Sequence, residues 1–133
     1  MMLTGMRMLT AAALLGTLAC AAEGDVKQDQ VELVRKKADG GNLMSQVILG
    51  QMYAQGAGVK KDMAEAAKWY RKASDKGFAE AQYQLAQLYA VGEGVEKDPK
   101  EAFTWYMKAA EQNLPDAQLA VAVAYFKGDG VKE

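Results

Sequence analysis

The chain has 133 residues, of which half are apolar, and its 16 Lys and Arg nearly balance its 17 Asp and Glu. This length and composition predict one globular domain. Because basic and acidic residues alternate and leave no basic surface, the sequence excludes nucleic acid as a partner.

The first 22 residues have the features of an export signal. Arg7 precedes an apolar stretch from Met8 to Leu18, and small residues follow it. This stretch is shorter than the roughly twenty apolar residues that cross a bilayer. We therefore expect residues 1–22 to be a leader that is removed, and residues 23–133 to be the helical repeat domain.

Cys20 is the only cysteine in the chain, so no disulfide can form within it. The segment "TLAC" resembles the lipobox of bacterial lipoproteins, in which the cysteine is lipidated, although Thr17 stands where Leu is favoured. Cleavage by ordinary signal peptidase near Ala21 or Ala22 also fits the preference for small residues. Two outcomes follow: a periplasmic or secreted protein, or a lipoprotein that is anchored in the membrane only through Cys20.

An internal repeat of 36 residues organises the rest of the chain. "GVKKDMAEAAKWYRKAS" begins at Gly58, "GVEKDPKEAFTWYMKAA" begins at Gly94, and a third copy starts as "GDGVKE". A fixed period of this size is typical of solenoids, whose small units bury their apolar faces against one another. Each complete copy contains two helical arms.

The first predicted helix runs from about Lys27 to Asp39 and aligns with a second arm, because Leu33 matches Trp69 in the repeat. We therefore expect a lone second-arm helix over 27–40, repeat 1 over 41–76, repeat 2 over 77–112 and a partial repeat 3 over 113–133.

The first arm of each repeat carries small and apolar residues at i, i+4, i+7 and i+8, which predicts one buried stripe. The stripes are Ser45, Leu49, Met52 and Tyr53, then Ala81, Leu85, Leu88 and Tyr89, then Ala117, Val121, Ala124 and Tyr125. Gln46, Gln82 and Gln118 occur in phase beside them, and we expect their amides to bond neighbouring helices.

The second arms begin with a capping pattern. Asp62 and Asp98 are expected to accept hydrogen bonds from free N–H groups, while Glu65 and Glu101 reach back to the capping residue. At this spacing the aromatic residues are expected to be core rather than a stacking platform for bases or sugars. The expected buried positions are Ala66, Trp69, Tyr70 and Ala73, with Ala102, Trp105, Tyr106 and Ala109 as their counterparts.

Glycine, asparagine and proline mark the helix boundaries. Gly77 and Asn113 are 36 residues apart and are expected to end the second arms in the left-handed conformation. Pro99 and Pro115 suit the first position of a helix, where the missing N–H group costs nothing.

The segment "AEAQYQLAQLYAVGEGVEKDPKEAFTWYMKAA" resembles the SEL-one-like repeat family, which is related to tetratricopeptide repeats. The resemblance covers about Gly41 to Lys132. It implies an all-α fold, an α/α solenoid of antiparallel helix pairs, and a role as an adaptor in the bacterial cell envelope. Some exported relatives carry a disulfide in each repeat, and this chain lacks those cysteines.

The residues available for chemistry are few, since histidine is absent and serine occurs only at Ser45 and Ser74. Neither a Ser-His-Asp triad nor a histidine metal site can be built. We therefore expect no enzyme, no cofactor and no metal. The alternatives are a hydrolase of cell-wall or β-lactam substrates, as proposed for cysteine-rich relatives, and a secreted factor directed at a host or competitor.

The first-arm positions opposite the buried stripes differ between copies and are expected to line the concave face, where a protein or peptide partner binds. The alternative is that the apolar ones pack on an adjacent arm. The main candidates are Met44, Ile48, Gln51, Gln55, Tyr83, Gln84, Gln87, Val91 and Leu119, and the same side of the helices carries Val47, Glu80, Asp116, Ala120, Val123 and Lys127.

The third copy shows a first helix and a turn, without a second helix over Val121, Ala124 and Tyr125. We expect this apolar face either to dock end to end on a second copy of the chain or to be completed by a helix of another protein.

Overall fold

The computed structural model describes residues 27–131, so the predicted leader and Cys20 lie outside the described residues. Within this range the chain forms six α-helices and no strand. Each helix packs on the helices next to it in the chain, which confirms the all-α solenoid. The helices are α1 Gln28–Asp39, α2 Leu43–Gln55, α3 Met63–Asp75, α4 Ala79–Val91, α5 Pro99–Glu111 and α6 Pro115–Lys127.

Asp62 caps α3 as predicted, because its side chain accepts hydrogen bonds from the N–H groups of Ala64 at 3.0 Å and Glu65 at 3.1 Å. The prediction that Glu65 reaches back to Asp62 is wrong. The N–H group of Asp62 already donates to the carbonyl oxygen of Tyr53 at 2.9 Å, and Glu65 instead pairs with Lys68. The backbone N–H group of Asp62, which Glu65 was expected to bond, is therefore already satisfied within the turn between the two arms.

The second repeat uses the same arrangement at the start of α5. The N–H group of Asp98 donates to the carbonyl oxygen of Tyr89 at 2.9 Å, so the expected role of Glu101 is also wrong. Glu101 accepts a hydrogen bond from Nε1 of Trp105 at 3.1 Å. This bond satisfies the indole N–H group of an otherwise buried side chain.

The predicted helix boundaries are confirmed. Gly77 and Asn113 adopt φ values of 85° and 66°, in the left-handed region, and Pro99 and Pro115 are the first residues of their helices.

Trp69, Tyr70 and Trp105 are buried, as expected. The expectation that Tyr106 is also core is wrong, because its side chain is only partly buried and packs against the outside of the core cluster. Val47 had been placed on the partner-facing side, and that placement is wrong because its side chain is only 2% exposed. It lies in the same apolar cluster as Leu85 of α4. A helical wheel gives the direction of Val47 but not the neighbouring helix that covers it.

The repeated glutamines bond neighbouring helices, as predicted. In each case Nε2 donates to the backbone carbonyl oxygen eight residues earlier, near the end of the preceding helix. The pairs are Gln46 with Ala38 at 3.1 Å, Gln82 with Ser74 at 3.3 Å, and Gln118 with Ala110 at 3.3 Å.

Two glycines form close joints between successive repeats. A Cβ atom on Gly94 would lie 2.2 Å from the carbonyl oxygen of Met63, and one on Gly130 would lie 2.1 Å from that of Pro99. The φ values of 72° and 73° also favour glycine. The turn of one repeat therefore rests directly on the backbone at the start of the preceding second arm.

Candidate partner-binding groove

A groove of about 410 Å³ lies between α4, α5 and α6. Its lining is mainly apolar and includes three aromatic residues and four charged residues. The apolar and aromatic residues are Tyr83, Ala90, Pro99, Ala102, Phe103, Tyr106, Leu119, Ala120, Val123 and Ala124, and the charged residues are Lys97, Asp116, Lys127 and Asp129.

The repeat determines how these three helices build the groove. The first arms α4 and α6 occupy equivalent positions and run in the same direction, while the second arm α5 runs between them in the opposite direction. Leu119 and Val123 project from α6, and Phe103 projects from α5. An apolar surface is thus formed by side chains from both kinds of arm.

Two aromatic pairs hold the groove-lining rings in place: Tyr83 and Tyr106 both line the groove, whereas Phe103 lines it and contacts Tyr125 outside the lining. The rings of Tyr83 and Tyr106 lie 5.7 Å apart at an angle of 56°, and Phe103 meets the ring of Tyr125 edge to face at 5.3 Å. Such arrangements favour the contact of a ring edge with a ring face. They connect α4 to α5 and α5 to α6.

The two tyrosine hydroxyl groups of the groove are neutral at physiological pH. Burial raises the pKa of Tyr106 to about 12, and Tyr83 adds to this effect. Burial also raises the pKa of Tyr83, with further contributions from the negative charges of Asp116 and Glu80. Tyr83 accepts a hydrogen bond from Nε2 of Gln87 at 3.1 Å.

The structure brings together only part of the predicted partner-facing set. Of the main candidates, Tyr83 and Leu119 line the groove, and Asp116, Ala120, Val123 and Lys127 of the wider set line it too. Met44, Ile48 and Val91 are exposed elsewhere on the first arms. The main candidates outside the groove lining are Met44, Ile48, Gln51, Gln55, Gln84, Gln87 and Val91.

Phe103 and Pro99 were not predicted as groove residues, because second-arm residues were assigned to the core or to the helix start. A comparison of the repeat copies shows the sequence difference that could have indicated these residues. Phe103 stands where repeat 1 has Ala67, and Pro99 stands where it has Met63. Phe103 is a large residue at a position that is small in repeat 1, which indicates a local departure from the repeated packing.

The outer side of α6 exposes apolar residues. Tyr125 is 59% exposed and Phe126 is 91% exposed. The residues equivalent to Tyr125, Tyr53 and Tyr89, are partly buried. Phe126 was not among the residues singled out from the sequence. This apolar surface is separate from the groove lining.

Among residues 27–131, no group of three or more His, Cys, Asp or Glu side chains is arranged to hold a metal ion. None of the helices in that range has the length and apolar character needed to cross a membrane.

These observations define a solenoid of repeated helix pairs with an apolar groove between arms. The family model of the Sel1 repeat matches residues 43–78, 79–114 and 115–133. The chain belongs to the Sel1 repeat family. Proteins of this family are generally protein-interaction scaffolds that bind protein partners, and the fold is typically non-enzymatic.

Three solved structures are similar to this one. A protective antigen of uropathogenic Escherichia coli with an SLR fold has 40% sequence identity and a TM-score of 0.75, over 76% of this chain and 22% of that chain. A Sel1 repeat protein from Oxalobacter formigenes has 40% identity and a TM-score of 0.67, over 68% and 36% of the two chains. Cysteine rich protein B of Helicobacter pylori has 26% identity and a TM-score of 0.65, over 77% of each chain.

The chain thus spans well under half the length of the first two of these proteins. The search of curated proteins gave no significant match.

Proposed function

We propose that this chain is a non-enzymatic adaptor of the bacterial cell envelope that binds a peptide or helix of a partner protein along its first-arm face. The groove carries this proposal. Leu119 is 66% exposed, yet it lies beside the aromatic residues of the groove. Covering this apolar surface with a partner would be favourable, and apolar grooves of this kind accept amphipathic peptides.

The envelope location rests on the sequence of residues 1–22, with its early positive charge, short apolar stretch and small residues. The similarity to a protective antigen of uropathogenic Escherichia coli fits an exported protein. Ordinary cleavage would give a periplasmic or secreted adaptor, while lipidation of Cys20 would anchor it to a membrane.

Site-specific photocrosslinking in living cells tests the adaptor role. A benzophenone amino acid at position 119 should crosslink a partner segment that mass spectrometry can map. The same amino acid at position 33 is the matched control, because Leu33 is 53% exposed on α1, at the other end of the stack. Identical products from both positions, or no product at position 119, would contradict the proposal.

The non-enzymatic part of the proposal has its own test. Purified protein should not turn over a chromogenic β-lactam or release fragments from isolated cell wall. Turnover that persists through stringent purification, and that survives in the Leu119→Ser variant, would favour the hydrolase alternative.

We also propose that the exposed side of α6 packs on another helix, in the first instance that of a second copy of the chain. Phe126 supports this proposal, since so large an exposed aromatic residue favours association. Light scattering after gel filtration should show a dimer that Phe126→Glu converts to monomer. We choose Phe126 because a charge at Tyr125 would also disturb Phe103.

A second variant distinguishes two modes of association. Leu33→Glu changes the opposite end of the stack, so it should weaken head-to-tail stacking and leave a symmetric pairing of two α6 helices unchanged. A protein that is monomeric at high concentration would contradict both modes.

A further inference from the structure

We infer that the groove selects a peptide segment with charges of opposite sign at its two ends: a basic residue faces Asp116, an acidic residue faces Lys97 and Lys127, and apolar residues lie between them. This inference rests on the proposed function and specifies the chemistry of the partner.

The charged residues fall at opposite ends of the groove because of the helix directions. Asp116 is the second residue of α6 and Lys127 is its last. Their Cα atoms are about 16 Å apart, since a helix rises about 1.5 Å per residue. Lys97 comes two residues before α5, and Gly130 touches the backbone of Pro99, so Lys97 belongs to the Lys127 end.

The end at Asp116 is acidic. Glu80, in the first turn of α4, also lies near this end, since its charge and that of Asp116 both act on the hydroxyl group of Tyr83. The Lys127 end has two lysines and Asp129, which offsets one of them. In residues 27–131 the ion pair within 4 Å is Lys68 with Glu65, so the charges around the groove are not neutralised by direct pairing.

Two α6 residues in the middle of the groove are smaller and more apolar than their counterparts one repeat earlier. At the preceding junction the residues equivalent to Leu119 and Val123 are Tyr83 and Gln87, which are hydrogen-bonded to each other. The groove therefore has apolar side chains on α6 at positions where α4 carries a hydrogen-bonded polar pair. A distance of about 16 Å fits about five extended residues or about eleven helical residues.

Charge complementarity of this kind determines the orientation and register of a bound segment more than its total affinity. The inference therefore predicts selectivity among peptides that share the same apolar residues. It also predicts that reversing a charge at one end of the groove changes which peptides are preferred.

Fluorescence anisotropy with three labelled peptide pools can test this directly. Each pool contains five-residue and eleven-residue peptides with the same randomised apolar centre. The pools carry Lys and Glu at opposite ends, Lys at both ends, or Glu at both ends. The protein should bind the mixed pool about five-fold more tightly than either of the others, the range of a well-placed exposed charge pair, and high salt should remove the difference.

Charge reversal then identifies the ends. Asp116→Lys should transfer the preference to the Glu-only pool, and Lys127→Glu should transfer it to the Lys-only pool. Asp39→Lys and Lys37→Glu make the same charge changes at exposed positions of α1 and should leave the preference among the peptide pools unchanged. Circular dichroism establishes whether each variant is folded. If a charge-reversal variant is unfolded, Asp116→Asn replaces it, and this variant should abolish the preference without reversing it.

The outcomes separate this inference from the proposed function. Equal binding of all pools that is lost in Leu119→Ser would overturn the charge inference while supporting an apolar peptide groove. No binding of any pool would overturn the inference, whereas the photocrosslinking result would still decide the adaptor role.

Discussion

Arg71 donates a hydrogen bond from Nη2 to the hydroxyl oxygen of Tyr89. Its guanidinium group also lies 5.6 Å from the centre of the Tyr89 ring and 5.9 Å from that of Trp105. The same pair occurs one repeat earlier, where Arg35 donates to Tyr53 at 2.9 Å. These pairs join each second arm to the first arm of the next repeat.

In the second arm of repeat 2, Met107 stands where the earlier second arms have Arg35 and Arg71. The variant Arg71→Met introduces the same residue one repeat earlier. It should lower the free energy of unfolding by about 1–2 kcal/mol, because a charge-assisted hydrogen bond and cation–π contacts are lost. Urea denaturation measures the change. The denaturation midpoint of Arg71→Lys should lie between those of Arg71→Met and the wild type. An unchanged midpoint in Arg71→Met would contradict a stabilising role for the pair of Arg71 and Tyr89.

Trp105 connects the core to the first turn of its own helix. Its side chain is buried, and its Nε1 donates to Glu101. Trp105→Ala should cost about 3–5 kcal/mol, the range for removing a large buried aromatic residue. Thermal denaturation followed by circular dichroism should show a large fall in Tm, and Trp105→Phe should show a smaller one. A change of only a degree or two in Trp105→Ala would mean that the packing is not as described.

Gln46 and Gln82 occupy equivalent positions but differ in one hydrogen bond. Oε1 of Gln82 accepts from Nε2 of Gln112 at 2.9 Å. Oε1 of Gln46 is buried without a hydrogen-bond partner in the described part of the chain, and Lys76 stands where repeat 2 has Gln112. Lys76→Gln should therefore stabilise the fold by about 1 kcal/mol, because it supplies the missing donor.

The reciprocal variant is the control for this prediction. Gln112→Lys should destabilise the fold by a similar amount in chemical denaturation. If Lys76→Gln and Gln112→Lys change the midpoint in the same direction, the difference between the two glutamines does not affect stability.

Tyr70 and Tyr106 make the fold sensitive to alkaline pH. Burial raises the pKa of each to about 12 from the ordinary value of 10. The unfolded chain therefore loses these protons first, so their contribution to stability is fully present below pH 10 and is lost as the pH rises toward 12.

Spectrophotometric titration at 295 nm should show these two hydroxyl groups ionising late, together with unfolding. Tyr70→Phe should reduce the loss of stability between pH 10 and 12. Ionisation of all tyrosines near pH 10 in the folded protein would contradict the prediction.

Under the proposed envelope location, Cys20 is the residue that would anchor the protein in a membrane. If Cys20 is lipidated, Cys20→Ser should move the protein from the membrane fraction to the soluble periplasmic fraction, because the lipid is the anchor. Immunoblotting of cell fractions measures this. A soluble wild-type protein that is indistinguishable from the variant would establish ordinary cleavage.

Much of the fold could be predicted because the 36-residue period repeats the same local signals. Asp62, Gly77 and Pro115 act through local backbone geometry, and the sequence was sufficient to assign their roles at the helix ends. The partners of Glu65 and Glu101 could not be predicted in this way. The partner of each glutamate depends on how the turn between the arms folds, because the turn determines which N–H groups remain without an acceptor.

The groove was less predictable because exposure depends on the neighbouring helix as well as on the direction of a side chain. Val47 and Leu119 are equivalent in the repeat, yet Val47 is buried while Leu119 is exposed. Val47 packs in a cluster with residues of the two helices that follow it, whereas Leu119 lies in the last helix of the described residues. Such differences act between helices, and a helical wheel drawn for one helix does not contain them.

The contacts of Gly94 and Gly130 with backbone atoms have a consequence for how such a chain can evolve. Because each joint is backbone against backbone, it makes no demand on the side chains of the repeat it touches. Gene duplication or deletion of a whole 36-residue unit would therefore preserve the pitch of the stack, provided that the glycine is kept. The groove-lining residues can then diverge from copy to copy, so that the length of the protein and its specificity are inherited as separate traits.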